Sequence, residues 1–135
     1  MILYSFHRPR YYGGIYLLIG WRYGLAPHYP AIHLDVNCQL KETSAPMHLF
    51  AFRTHTHKHG TVVTGYLYRG YKVQEIARQD PQEPQMFYPM KTEVTVGNGD
   101  YLAARCTFNT TMENEPVYMG RLNTRCRYFF HNFIN

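Results

Sequence analysis

The run Arg53-Thr54-His55-Thr56-His57-Lys58-His59-Gly60 sets three histidines at alternate positions, with an arginine two residues before the first. Imidazole nitrogen is a ligand for copper, zinc, nickel and iron. Successive side chains leave a β-strand on opposite faces, so residues two apart share a face. On a strand, His55 and His57 can therefore close on one small ion, and Arg53 stands on the same side. A guanidinium beside a metal can fork onto a carboxylate or phosphate, which would hold an acidic substrate against the ion. Spacing chooses neither the metal nor its third ligand. His59 is the simplest third donor if the strand runs on, but Gly60 marks a turn at that point. The competing reading is a set of histidines without any ligand role, because loop histidines also cluster by chance. His33 and His48 read as core-edge or surface residues, and His7, His28 and His131 lie near the ends and are not taken as ligands.

The elements around this run are strands. Helical periodicity is nearly absent, and short apolar or alternating runs recur with turn residues between them. Ile15–Ile19 reads as a buried strand. In Ala31–Leu40, Ile32, Leu34 and Val36 alternate with His33, Asp35 and Asn37. Met47–His57 is a long strand carrying the histidines. Thr61–Tyr68 follows Gly60, and Tyr71–Ala77 is its hairpin partner across Gly70. A Pro- and Gln-rich loop, QDPQEPQ, occupies residues 79–85, where Pro81 and Pro84 forbid a central strand. Thr92–Val96 is the next strand, turned by Gly97-Asn98-Gly99-Asp100 into Tyr101–Phe108. The last apolar run is Tyr128–Ile134. About eight short strands at this spacing predict one all-β domain over residues 1–135, an antiparallel β-sandwich or jelly roll.

Composition bounds the rest. A chain of 135 residues buries a core without help from metals or disulfides. Aromatics make up 16% and charged residues only 17%, which suits β-structure. The net charge of +5 comes from 14 scattered Lys and Arg with no run among them, so a nucleic-acid footprint is not expected. No segment is long enough to span a membrane as a helix. GGIYLLIGW at residues 13–21 imitates a short signal peptide, but no cleavage site follows and a strand is the better reading. Three cysteines, Cys38, Cys106 and Cys126, leave one thiol over in an oxidising compartment. Asn109-Thr110-Thr111 is a glycosylation sequon, meaningful only on a secreted chain. There is no Gly-rich phosphate loop, no Gly-x-Ser-x-Gly and no Cys-x-x-Cys; Asp35, Asp80 and Asp100 look like isolated turn or surface residues.

PMHLFAFRTHTHKHGTVVTGYLYRG (Pro46–Gly70), IARQDPQEPQMFYP (Ile76–Pro89) and GDYLAARCTF (Gly99–Phe108) closely resemble the copper type II, ascorbate-dependent monooxygenases. RPRYYGGIYLLI and DVNCQL match too, so the resemblance covers roughly Arg8 to Gly120. The His-Thr-His core is shared with the dopamine β-monooxygenase branch, while RQDPQEPQMFYP and LAARC favour the peptidylglycine branch. The resemblance is to the second of that family's two copper domains. It implies a copper ion that binds and activates dioxygen, ascorbate as reductant, and hydroxylation of the α-carbon of a C-terminal glycine in a peptide. A first copper domain, absent from these residues, would supply the second electron. The secretory pathway, a secretory vesicle or the extracellular space is the implied location.

Carried over residue by residue, the resemblance makes His55 and His57 the copper ligands and Arg53 the clamp on the peptide carboxylate. His59 falls outside the family's ligand set. Cys106 and Cys126 match a disulfide pair, and Cys38 matches a half-cystine whose partner lies beyond this chain. The family's third copper ligand is a methionine just before the cysteine matched to Cys126. Here that run reads Thr124-Arg125-Cys126-Arg127, and Arg125, always cationic, cannot ligate copper. From about Arg121 to residue 135 the sequence diverges from the family. Tyr128 is the expected substitute, one residue out of register, for a tyrosine that helps hold the substrate. Met112, Met119 or His59 could complete the copper site. The expectation is a copper monooxygenase domain of the peptide-amidation class, inactive in isolation. The alternative is a non-catalytic copper-binding secreted domain or a decoy that binds peptide carboxylates.

Overall fold

The computed structural model describes residues 12–20, 24–43, 45–118 and 126–134, with the backbone alone described at 12, 16, 19, 20 and 126–134. In chain order the strands are β1 (Tyr12–Gly20), β2 (Gly24–Leu25), β3 (Ile32–Gln39), β4 (Met47–Thr56), β5 (Gly60–Arg69), β6 (Lys72–Gln79), β7 (Tyr88–Val96), β8 (Tyr101–Phe108), β9 (Val117–Tyr118) and β10 (Cys126–Ile134). They form two four-stranded antiparallel sheets, ordered β1-β10-β4-β7 and β3-β8-β5-β6, and the short pair β2-β9. No helix occurs among the described residues. The all-β expectation therefore holds, as a two-sheet sandwich.

The core lies between the sheets. Leu18, Met47, Leu49, Phe52, Val94 and Val96 come from the first sheet and meet Leu34, Val63, Leu67, Leu102, Ala104 and Phe108 of the second. In β8, Leu102, Ala104, Cys106 and Phe108 face the core while Tyr101 and Arg105 are exposed; Ala103, of the outward parity, is also buried. A half-buried sheet requires this period of two, and each buried Leu, Val or Phe contributes roughly 1.5–3 kcal/mol of apolar transfer.

The strand readings needed adjustment at β1, where Ile15 and Leu17 are exposed rather than buried, and at β7. β7 begins at Tyr88 rather than Thr92, and includes Pro89. Pro89 is tolerated because β7 lies at the sheet edge, where a missing N–H breaks no ladder. The last apolar run, expected over Tyr128–Ile134, is β10 from Cys126, paired with β1 on one side and β4 on the other.

Asp100 is no isolated turn residue. It is buried, accepts from Arg69 Nε and Nη2 at 2.9 and 2.7 Å, and accepts from the Gly97 N–H at 2.9 Å. Arg69 also donates to Thr95 O at 2.7 Å, so one ion pair ties β5 to the end of β7 and the β7–β8 turn. These bonds, the Arg69 guanidinium first, hold the Asp100 carboxyl below the usual carboxylate range.

Candidate metal centre

Met47 and Leu49 point into the core at the start of β4, so plain alternation would send Arg53, His55 and His57 inward as well. A β-bulge prevents this. Against β10, Leu49 pairs with Asn132 and Ala51 with His131, which leaves Phe50 as an extra residue. The parity switches there. Phe52, Thr54 and Thr56 become the buried set, and Arg53, His55 and His57 move to the outer face, each partly exposed.

The strand ends in a tight turn, with Gly60 N–H donating to His57 O at 2.9 Å. A Cβ on Gly60 would run into the Thr56 side chain, so only glycine fits. The turn sends His59 away from its neighbours. It is buried, with Nε2 3.6 Å from Glu113 Oε1, and Lys58 Nζ lies 3.3 Å from the same oxygen.

The loop between β6 and β7 reaches over this strand end. Buried Pro81 anchors it. Gln82 Nε2 donates to His57 O at 3.1 Å and to Gly60 O at 3.0 Å. Gln85 Oε1 accepts from Arg53 Nη2 at 3.1 Å and lies 2.8 Å from His55 Nδ1. An amide oxygen only accepts, so His55 Nδ1 is the donor here, and in the neutral ring that leaves the lone pair on Nε2. That is how a metal-binding imidazole is commonly oriented.

His55 and His57 rings stand edge to face, with centroids 5.2 Å apart and planes at 84°. At a metal–nitrogen distance of about 2 Å, as for zinc, rings at this separation can share one ion. The two imidazoles thus fit a copper ion. Among the described residues no group of three or more His, Cys, Asp or Glu gathers around one point, so these side chains supply only two donors. Met112 is almost fully exposed, on the loop that carries Glu113. Met119 and Arg125 lie outside the described residues.

The remaining expected site residues are placed as follows. Backbone register sets Tyr128 opposite Thr54 and Phe129 opposite Arg53; their side chains lie outside the described residues. Cys106 is fully buried and disulfide-bonded. Cys126 is described as backbone only, opposite Thr56 and Gly20. Cys38 is a free, exposed thiol. Asn109 is exposed, with Oδ1 accepting from the Thr111 N–H at 2.9 Å. Phe50, Gln82 and Gln85 were missed from sequence. Nothing local in QDPQEPQ points to histidines some thirty residues earlier, and the bulge leaves no mark in the apolar pattern.

The model of the copper type II ascorbate-dependent monooxygenase C-terminal domain matches residues 11–133. The peptidylglycine alpha-amidating monooxygenase of Rattus norvegicus is 42% identical over 107 residues, covering 79% of this chain and 11% of the relative. The Mus musculus protein of that name is 41% identical over the same share of each chain. The Xenopus laevis peptidyl-glycine alpha-amidating monooxygenase A is 37% identical, again over 79% of this chain and 11% of the relative. The chain thus spans about a ninth of the length of these relatives. With a C-terminal-domain match along almost its whole length, the chain belongs to the copper type II ascorbate-dependent monooxygenase family.

Proposed function

We propose that this chain is a copper domain of the peptide-amidation class, holding one copper ion on His55 and His57 and the carboxylate of a glycine-extended peptide on Arg53. One observation carries the reading: Arg53 and His55 share Gln85 Oε1, and the His57 ring lies beside that of His55 on the same face. Copper bound there supplies the family's oxygen chemistry for hydroxylating the glycine α-carbon, with dioxygen as co-substrate and ascorbate as reductant. The protein's own part is positional. Gln85 fixes the His55 ring through Nδ1, which would leave Nε2 to hold the ion. The Arg53 guanidinium offers paired donors that match a carboxylate. Gln85 orients the clamp and His55 together, because one oxygen contacts both. Tyr128 is retained as a second contact to the substrate, and a Cys106–Cys126 disulfide would tie β8 to β10. The chemistry belongs in the secretory pathway, where the disulfide forms and Asn109 takes a glycan.

The deciding experiment is Cu(I) stoichiometry on the purified chain beside a His55→Ala/His57→Ala double variant, with binding of a glycine-extended peptide to wild type and Arg53→Ala. One tightly held copper, lost in the double variant, and peptide binding lost with Arg53 support the reading. No specific copper in the wild type rejects it.

A second reading, copper and carboxylate binding without turnover, is favoured by Arg125 at the position where the family has a thioether, the soft ligand suited to Cu(I). The purified chain is expected not to hydroxylate a glycine-extended peptide with copper and ascorbate. Measurable product would remove this second reading.

A further inference from the structure

The outer face of the second sheet carries a groove of about 590 Å³, lined by none of the residues of the histidine strand, which belongs to the other sheet. Cross-strand register explains its shape. Ala103 of β8 sits between Asn37 of β3 and Tyr66 of β5. Toward one end the next outward residue, Tyr101, stands beside Tyr68; toward the other, Arg105 stands beside Asp35. A small side chain between a tyrosine row and an ion pair leaves a depression in the sheet surface.

The wall chemistry narrows the occupant. Arg105 Nε and Nη2 donate to Asp35 Oδ1 and Oδ2, both at 2.7 Å. The pair cancels its own charge, while Arg105 keeps further N–H donors and Asp35 keeps acceptor lone pairs. A free anion finds its cation already engaged. A quaternary ammonium could meet the tyrosine faces, but the neutralised pair offers it no net counter-charge and it would leave the hydrogen-bonding groups of Asp35, Asn37 and Arg105 unused. What remains is a neutral ring with an apolar C–H face for the tyrosines and hydroxyls for Asp35, Asn37 and Arg105. The volume lies within the range of small-molecule sites. We propose that this groove binds a pyranose ring of carbohydrate, independently of the copper site.

The test is an amide and side-chain NMR titration of the 135-residue chain with methyl β-glucoside and cellobiose. A second arm uses a glycosylated carrier protein and its enzymatically deglycosylated form. Saturable shifts confined to Tyr66, Tyr68, Tyr101, Ala103 and their neighbours are expected. Tyr68→Ala removes a stacking face from an exposed position, and Ala103→Leu fills the floor without deleting a contact. Each is expected to weaken binding about fivefold to tenfold. Should one variant fail to keep wild-type spectral dispersion, the other decides. Binding of the methyl glycoside assigns the site to a free sugar ring. Binding only of the glycosylated carrier assigns it to protein-linked glycans. No saturable shift with any of these, shifts indifferent to both variants, or tetramethylammonium binding the groove as tightly as the sugars, would overturn the proposal.

Discussion

On the outer face of the β1-β10-β4-β7 sheet, Arg53 and His55 of β4 and His57 just past its end stand in one row, and a loop reaches across to hold two of them through Gln85. On the outer face of the β3-β8-β5-β6 sheet, Asp35 and Arg105 come from neighbouring strands and hold each other. Both faces are partly exposed and polar, but their charges are handled differently. The first keeps imidazole nitrogen available by satisfying the ring's other nitrogen with a neutral amide. The second neutralises its guanidinium with a carboxylate and surrounds the pair with tyrosines. Donors oriented by neutral partners can take a metal, whereas paired charges keep only hydrogen-bonding capacity for a neutral ligand. Reactivity here depends less on which residues are exposed than on what their partners leave unsatisfied.

Deleting Phe50 should break this contrast most severely. Without the bulge residue the parity of β4 reverts, and an arginine and two imidazoles are directed at the core. Destabilisation beyond about 4 kcal/mol is expected, enough to abolish the cooperative transition in urea. Phe50→Ala keeps the extra residue and should keep both fold and copper. Next is the copper itself: His55→Ala/His57→Ala should eliminate specific Cu(I) binding, read by competition with a chromophoric chelator, while leaving the tyrosine groove's NMR signals in place. Gln85→Ala sharpens the comparison further. It removes the neutral partner but neither proposed ligand, and should weaken Cu(I) affinity about 10- to 100-fold. Gln85→Glu, which keeps an acceptor, should recover most of that loss. If Gln85→Ala binds copper as wild type does, the loop does not orient the ring.

Smaller effects concern the ion pairs. The Asp100 carboxyl is held low in the folded chain by Arg69 and the Gly97 N–H. A depressed carboxyl pKa stabilises the fold above the unfolded value and loses that contribution as pH falls through the folded one. Stability should therefore drop as pH is lowered below about 4, and Asp100→Asn should flatten that slope. The same change should cost about 1–3 kcal/mol near neutral pH, measured by chemical denaturation. Asp35 is also held low, first by its bond from Arg105, but that pair is open to solvent. Asp35→Asn should cost no more than about 1 kcal/mol and should leave copper binding unchanged.

Much of this was legible in the residues. The alternation of Ile32, Leu34 and Val36 and the Gly97–Asp100 turn gave strands close to those observed. The i, i+2 spacing of Arg53, His55 and His57 gave a common face, because period two is a property of any strand. What the strand pattern could not supply was the direction of that face. Met47, Leu49, Arg53, His55 and His57 share one parity along the chain, and only an extra residue at position 50 separates them in space. Nor could it supply Gln85, which meets Arg53 and His55 from across a loop, or the Asp35–Arg105 pair, whose members stand 70 residues apart. Strand period, turn positions and the types of side chain available follow from the residues alone. Tertiary structure alone decided register, bulge and loop closure, because these follow from which distant strands pair and how the whole core packs.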